Sequence, residues 1–381
     1  MTRRELIRNA GVLWAVSAVS GCAGLASGIR GVRTRAKIGV LANLEIEWPK
    51  STVMLKKALG AFRDAGVDAV VLLGNLTRSG APNQYEVLAD AWRAAFKGSQ
   101  PPPCVLVLGE QDLERWQPGY ADYLKPIGTV VEQGGHVIDV RGFRFGASIR
   151  KRTGRWNDPV ALAFYAQPKL VLTDALCFSD PTSRAVCAGS MSDVAMGEIY
   201  AGVAKSLKVA QGLLVTVLGD EIEVARLDFT QPTQAWERVA GDWTVPADPT
   251  AEVVVPVSVA PQFRPNAEAT VVAGFRPLKK PLMEEIYTVR WPVVRGGEDG
   301  ARAFAYELRV VSAEKHPLAE PILVLSPAFH LAPRHESPSM SYAVPIASLP
   351  KGKVRFAITP VSSDGKRGSA IYTEAVVGIR D

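Results

Sequence analysis

At 381 residues the chain exceeds a single domain of about 100–200 residues, so two domains are expected. Its 47% hydrophobic and 22% charged residues are ordinary for a globular protein and exclude a low-complexity chain. The formal charge is +6, and setting aside residues 1–21 removes three arginines and one glutamate, leaving +4. That surplus is scattered, with no Lys/Arg block alternating with aromatics, which excludes a nucleic-acid partner.

The chain opens as an address. Arg3-Arg4 precede a mildly apolar run, Ala10–Gly21, which is shorter than the roughly 20 apolar residues of a membrane-spanning helix. The paired arginines resemble a twin-arginine export signal. Val19-Ser20-Gly21-Cys22 resembles a lipobox, which implies lipidation of Cys22 and a membrane partner reached through the acyl chains. The resemblance implies a bacterial envelope location, on the periplasmic or outer side. Residues 1–22 are thus expected to be signal and 23–35 a short basic tether.

Three further cysteines, Cys104, Cys177 and Cys187, lack the C-x-x-C spacing of a zinc or redox centre. In an oxidising compartment Cys177 and Cys187 could bridge a loop, or both could be buried thiols. Cys104 falls in a strand-like run and reads as core.

From residue 36 strands and helices alternate. Residues 37–42 read as a short apolar strand. The helical period of Leu55, Ala58, Leu59 and Phe62 predicts a helix over 52–65, with Gly66 as its stop. Residues 68–73 are the next strand. A second helix is expected to open at Asn83, with Glu86 completing a capping box and Leu88, Trp92 and Ala95 facing inward. The third strand covers 104–108. Near-continuous apolar strands between amphipathic helices imply a sheet covered on both faces.

Shorter strands follow at 136–140, 143–148, 168–173, 184–188, 212–218 and 221–228, so the second half of this α/β domain is more antiparallel. Asp220, Glu221 and Glu223 read as a hairpin turn and a solvated strand edge. Residues 246–252 read as a linker, giving expected domains at 36–245 and 246–381. Beyond the linker, apolar residues alternate at Tyr287, Val289 and Trp291, at Phe304 to Val310, and at Val354 to Ile358. No convincing helix interrupts them, which predicts an all-β sandwich. The stretch 354–369 resembles the last hairpin of a fibronectin type III domain.

The ends of α/β strands carry the chemistry of such sheets. The segments Val40–Glu45, Leu73–Gly80, Leu108–Asp112, Leu172–Asp174 and Ala188–Ser192 resemble, in order and spacing, the five sequence blocks of the calcineurin-like metallophosphoesterases. The resemblance covers roughly residues 36–230 and implies that family's α/β sandwich. It also implies two metal ions that clamp a phosphate and activate water. The positions where the family holds its metal ligands are Asn43, Glu45, Asn75, Glu110, Gln111, Asp174, Ser190 and Ser192, and none is the family's residue. The chain has four histidines, His136, His316, His330 and His335, and none lies in these blocks.

Serine hydroxyls and neutral amides are poor ligands for a catalytic transition metal. The expectation is therefore a non-catalytic scaffold with no cofactor and an unidentified protein or envelope partner. Two rivals stand beside it. One is a hydrolase with a rebuilt metal site of Glu45, Glu110 and Asp174, with Asp112 and Asp193 nearby. Against this, the carboxylates are solvated or paired with Arg78 or Arg184. The other is carbohydrate binding through the sandwich at Tyr342, Tyr372 and Trp291, of which Trp291 also reads as core. His330 and His335 flank Pro333 and read as a loop. No Gly-x-Ser-x-Gly, P-loop or dinucleotide fingerprint is present.

Overall fold

The computed structural model describes residues 34–132, 135–148, 170–173, 185–192, 210–230, 234–251, 259–278, 282–295, 302–330, 337–363 and 365–378. Cys22, Asp174, Cys177, Arg184, Asp193 and His335 lie outside the described residues. Thr34–Asp381 forms one compact unit, distinct from Met1–Arg33. Among the described residues no helix is long and apolar enough to cross a membrane.

The unit opens with β1 (Thr34–Ala42), α1 (Thr52–Ala65), β2 (Ala69–Leu73), α2 (Pro82–Ala95) and β3 (Cys104–Val107). Two short helices follow, α3 (Glu110–Leu113) and α4 (Ala121–Leu124), then β4 (Thr129–Val131). A run of strands comes next: β5 (Gly135–Val140), β6 (Phe143–Ser148), β7 (Leu170–Thr173), β8 (Ala185–Cys187), β9 (Gln211–Leu218), β10 (Glu221–Asp228) and β11 (Glu237–Pro246). The larger sheet has the order β11-β10-β9-β1-β2-β3-β4. It is parallel from β1 to β4 and antiparallel where β9, β10 and β11 join. The smaller sheet has the order β5-β6-β7-β8.

All five residues of β2 are buried, as a strand covered on both faces requires. On one face lie α1 and α2, whose Leu55, Leu59, Phe62, Tyr85, Leu88 and Trp92 close one core. On the other face, Val40, Val71 and Val215 meet Ile138, Phe145 and Leu172 of the smaller sheet. The result is a two-sheet sandwich flanked by helices. Close packing explains one glycine: a Cβ on Gly39 would stand 2.4 Å from the Phe62 ring.

Helix α1 has the expected bounds and ends on Gly66, whose φ of 64° is the left-handed cap that glycine adopts without penalty. Helix α2 corrects the sequence reading. It begins at Pro82 with Ala81 as its cap and has no side-chain cap bond, so the capping box at Asn83 and Glu86 does not form. Proline at the first helical position has no N–H to satisfy and a φ already set for the helix, so it takes over the start.

The remaining strands are β12 (Thr270–Pro277), β13 (Met283–Pro292), β14 (Ala305–Ser312), β15 (Ile322–Leu325), β16 (Ser339–Pro345), β17 (Lys353–Val361), β18 (Ile371–Tyr372) and β19 (Val376–Val377). One four-residue helix, α5 (Pro327–His330), interrupts the expected all-β pattern. Sheet β12-β13-β16 faces sheet β15-β14-β17-β18, with β19 also on β17. Their shared core holds Val289, Trp291, Tyr306, Phe356 and Ile358. Trp291 is 1% exposed and its ring lies 5.6 Å from that of Tyr306, so it is core and not a binding platform.

The two modules share packing. Phe304, Ala305, Leu325 and Phe329 belong to the same apolar cluster as Trp243 and Val245 of β11. At this seam the Gln211 amide Nε2 donates to the carbonyl of His330. The His330 Nε2 donates to the Phe304 carbonyl at 3.0 Å, and the Arg226 guanidinium lies 4.9 Å from the centre of the Phe329 ring.

Candidate functional site

The turns that leave β1, β2, β3 and β8 at their carboxyl ends converge. The parallel ladder continues past the strands: Asn43 N–H donates to Leu73 O at 3.0 Å, Glu45 N–H to Asn75 O at 2.9 Å and Gly74 N–H to Val107 O at 2.9 Å. From the loop after β8, Met191 N–H donates to Ala42 O at 3.0 Å. These bonds bring four of the five sequence blocks to one place. The fourth block is described only through Thr173, so Asp174 is not placed.

Three non-glycine residues at these ends hold positive φ: Asn43 at 50°, Glu45 at 45° and Asn75 at 29°. Asparagine tolerates this region, whereas for glutamate it costs of order 1–2 kcal/mol. Such strain persists only where the surroundings over-determine it and gathers at functional sites. Here the positive φ values fall at three of the positions singled out in the sequence blocks, Asn43, Glu45 and Asn75.

The side chains gathered at these ends are amides, hydroxyls and one carboxylate. Asn75 Oδ1 accepts from Gln111 N–H at 3.3 Å. Ser192 Oγ donates to Glu45 Oε2 at 3.0 Å, and Ser190 Oγ donates to the Ser192 carbonyl at 2.9 Å. Arg78 Nη1 lies 3.7 Å from Glu45 Oε2, and its Nε lies 4.0 Å from Glu47. The Glu45 side chain is only 5% exposed, so its charge is met by a guanidinium and a hydroxyl. Asn43, Glu45, Asn75, Gln111, Ser190 and Ser192 are therefore linked through these turns, and Arg78 is the pairing partner weighed for Glu45. Glu110, the first residue of α3, is exposed.

Asp112 departs from the sequence reading. Instead of a rim carboxylate near the site, it is fully buried beneath it. Its oxygens accept from Leu76 N–H at 2.8 Å, Thr77 N–H at 2.9 Å, Thr77 Oγ1 at 2.7 Å and Gly109 N–H at 2.9 Å. Burial pushes its pKa upward, while these four donors pull it down by favouring the carboxylate. Asp112 thus staples the turn after β2 to the turn after β3. Gly109 permits the approach, since a Cβ there would stand 2.0 Å from Asn75 N. The signal available in the sequence was the Gly109–Asp112 spacing; its partner strand end lies 36 residues away.

A dimetal centre requires converging imidazoles and carboxylates. Among the described residues no three His, Cys, Asp or Glu side chains are grouped so as to hold an ion. The donor set seen here, amides and hydroxyls around one paired carboxylate, does not fit such a centre.

No family model matches the chain, and no curated protein matches it. Among solved structures, Vps29 from Chaetomium thermophilum is 18% identical, with 56% of this chain and 99% of that one covered at a TM-score of 0.35. A dimetal phosphatase from Danio rerio is 10% identical over 56% of this chain and 100% of its own, with a TM-score of 0.34. An archaeal phosphodiesterase is 10% identical over 48% and 99%, with a TM-score of 0.30.

Proposed function

We propose that this is an exported, lipid-anchored protein with a metallophosphoesterase-like domain that lacks phosphoesterase activity and serves as a binding or structural scaffold in the cell envelope. The observation that carries this reading is the state of the strand ends. The backbone keeps a turn geometry suited to presenting ligands, while the side chains are Asn43, Asn75, Gln111, Ser190 and Ser192, with Glu45 engaged by Arg78 and Ser192. The order of the two C-terminal sheets supports a fibronectin type III-like module, and its packing against β11 supports a fixed scaffold.

Metal content tests the central claim. After soaking with manganese, zinc, magnesium and calcium, elemental mass spectrometry is expected to find no ion near one per chain, and a phosphodiester chromophore is expected to stay intact. A stoichiometric ion that Glu45→Ala removes would overturn the reading in favour of a carboxylate-only centre at Glu45, Glu110 and Asp174. For the anchor, the mature N-terminal peptide is expected to carry acyl mass on Cys22, and Cys22→Ser is expected to release the protein from the membrane fraction.

A further inference from the structure

Strand β12 is the edge of its sheet. It ladders with β13 along one side, and among the described residues its other side has no backbone partner. An edge of eight residues directs N–H and C=O groups outward at every second residue, which makes it a template for a further strand. Natural sheets blunt such edges with charge. Here the side chains in the middle of the strand are apolar, and Val272 and Phe275 are 58% and 64% exposed. Pro277 has no N–H to donate, so a ladder along this edge stops there.

The residues along the edge match a second copy of themselves. A two-fold axis normal to the sheet sets one residue opposite itself and keeps each face of the sheet on its own side. With that axis at Val272, Thr270 faces Gly274 of the second copy and Val271 faces Ala273. Glu268 then faces Arg276 at both ends. Glu268 continues the line of the strand, since it lines one groove with Thr270, Arg290 and Pro292. Arg276 already pairs with Glu284 of β13 at 2.5 Å, so the second copy's Glu268 completes an alternating row of carboxylate, guanidinium and carboxylate. Moving the axis by one residue sets Arg276 against Asn266 or Thr270 and loses the match. The same register brings Phe275 across from Ala269, which belongs to the apolar core that holds Trp291.

We propose that two copies of this protein pair antiparallel along β12, joining their two β12-β13-β16 sheets into one continuous sheet centred on Val272. Main-chain bonds along the new ladder supply the attraction, and the two Glu268–Arg276 pairs fix its register. A single strand pair is a small interface, below about 1,200 Å², so the dimer is a weak one of micromolar order. The contact rests on the C-terminal module alone, independent of Cys22 and of the strand-end site.

The test uses Thr34–Asp381, which lacks Cys22 and contains all three apolar cores. Sedimentation equilibrium over about 1–100 µM is expected to show monomer and dimer in exchange. Val272→Lys sets two ammonium groups against each other on the axis, and Glu268→Arg sets like charges against Arg276 at both ends. Each is expected to raise the dimer Kd at least about tenfold. Val272→Cys is expected to cross-link the pair on mild oxidation, whereas Thr270→Cys, which faces Gly274 and not itself, is expected to cross-link no more than the parent chain. The substituted side chains are exposed, so unchanged thermal melting certifies folded variants. A chain that stays monomeric at about 100 µM overturns the proposal and leaves the edge to a different partner. A dimer that neither charge substitution weakens, or that Thr270→Cys cross-links and Val272→Cys does not, overturns it as well.

Discussion

Acidification should loosen the seam between the modules through His330. Its side chain is 2% exposed, donates from Nε2 to Phe304 O at 3.0 Å and lies edge-on to the Phe304 ring at 4.7 Å. Burial pushes its pKa down to about 3 from 6.5, the Arg226 guanidinium pushes the same way, and the bond to Phe304 O only partly opposes them. The folded state keeps this imidazole neutral while the unfolded chain protonates it below pH 6.5. Between these values the unfolded state binds the extra proton, so stability falls as pH falls. At pH 5, one and a half units below the unfolded pKa, the penalty is about 2 kcal/mol, and it grows toward pH 3. Urea unfolding at pH 7.5 and pH 5.0, for the wild type and His330→Gln, isolates this contribution, since other titrating groups act equally in both. The wild type is expected to lose about 2 kcal/mol more than the variant over that range. Equal losses would show that the imidazole is protonated in the folded protein, and would refute the reasoning.

Asp112→Asn removes a buried anion that accepts four bonds, and is expected to cost about 3 kcal/mol or more in urea unfolding. A cost below about 1 kcal/mol would mean that water replaces those donors. Gly109→Ala forces a Cβ against Asn75 N and is expected to lower the melting temperature markedly, with a stability loss of about 1–3 kcal/mol or more. Trp291→Ala empties the centre of the C-terminal core and is expected to cost about 3–5 kcal/mol; a near-neutral result in calorimetry would return Trp291 to the surface.

Much of the frame was legible because it is written in local patterns. The period of Leu55, Leu59 and Phe62 and the stop at Gly66 set α1, and continuous apolar runs set β2 and β3. The polar character of the strand ends was legible, and Arg78, which lies 3.7 Å from Glu45, was among the partners weighed for the strand-end carboxylates. What local pattern cannot carry is distance. Asp112 and the turn it clamps lie far apart in sequence, so its burial was invisible. Alternation along β12 and β13 gives the same signature whether the outer half of a hairpin is covered or protrudes, so the exposure of Phe275 and Met283 emerges only from the fold. The start of α2 was misplaced because two helix-start signals compete within a few residues, and proline prevailed.

The seam also has a mechanical meaning. Phe304, Leu325 and Phe329 are continuous with Trp243 and Val245 in one apolar cluster, and β11 is laddered along β10. A load applied to the C-terminal module meets this packed seam. The force passes into the β-ladders, through β10 and β9 to β1, the strand that follows the N-terminal segment. Tension entering at the seam is therefore borne by the hydrogen-bonded ladders in series, and it is relieved when ladder or seam gives way.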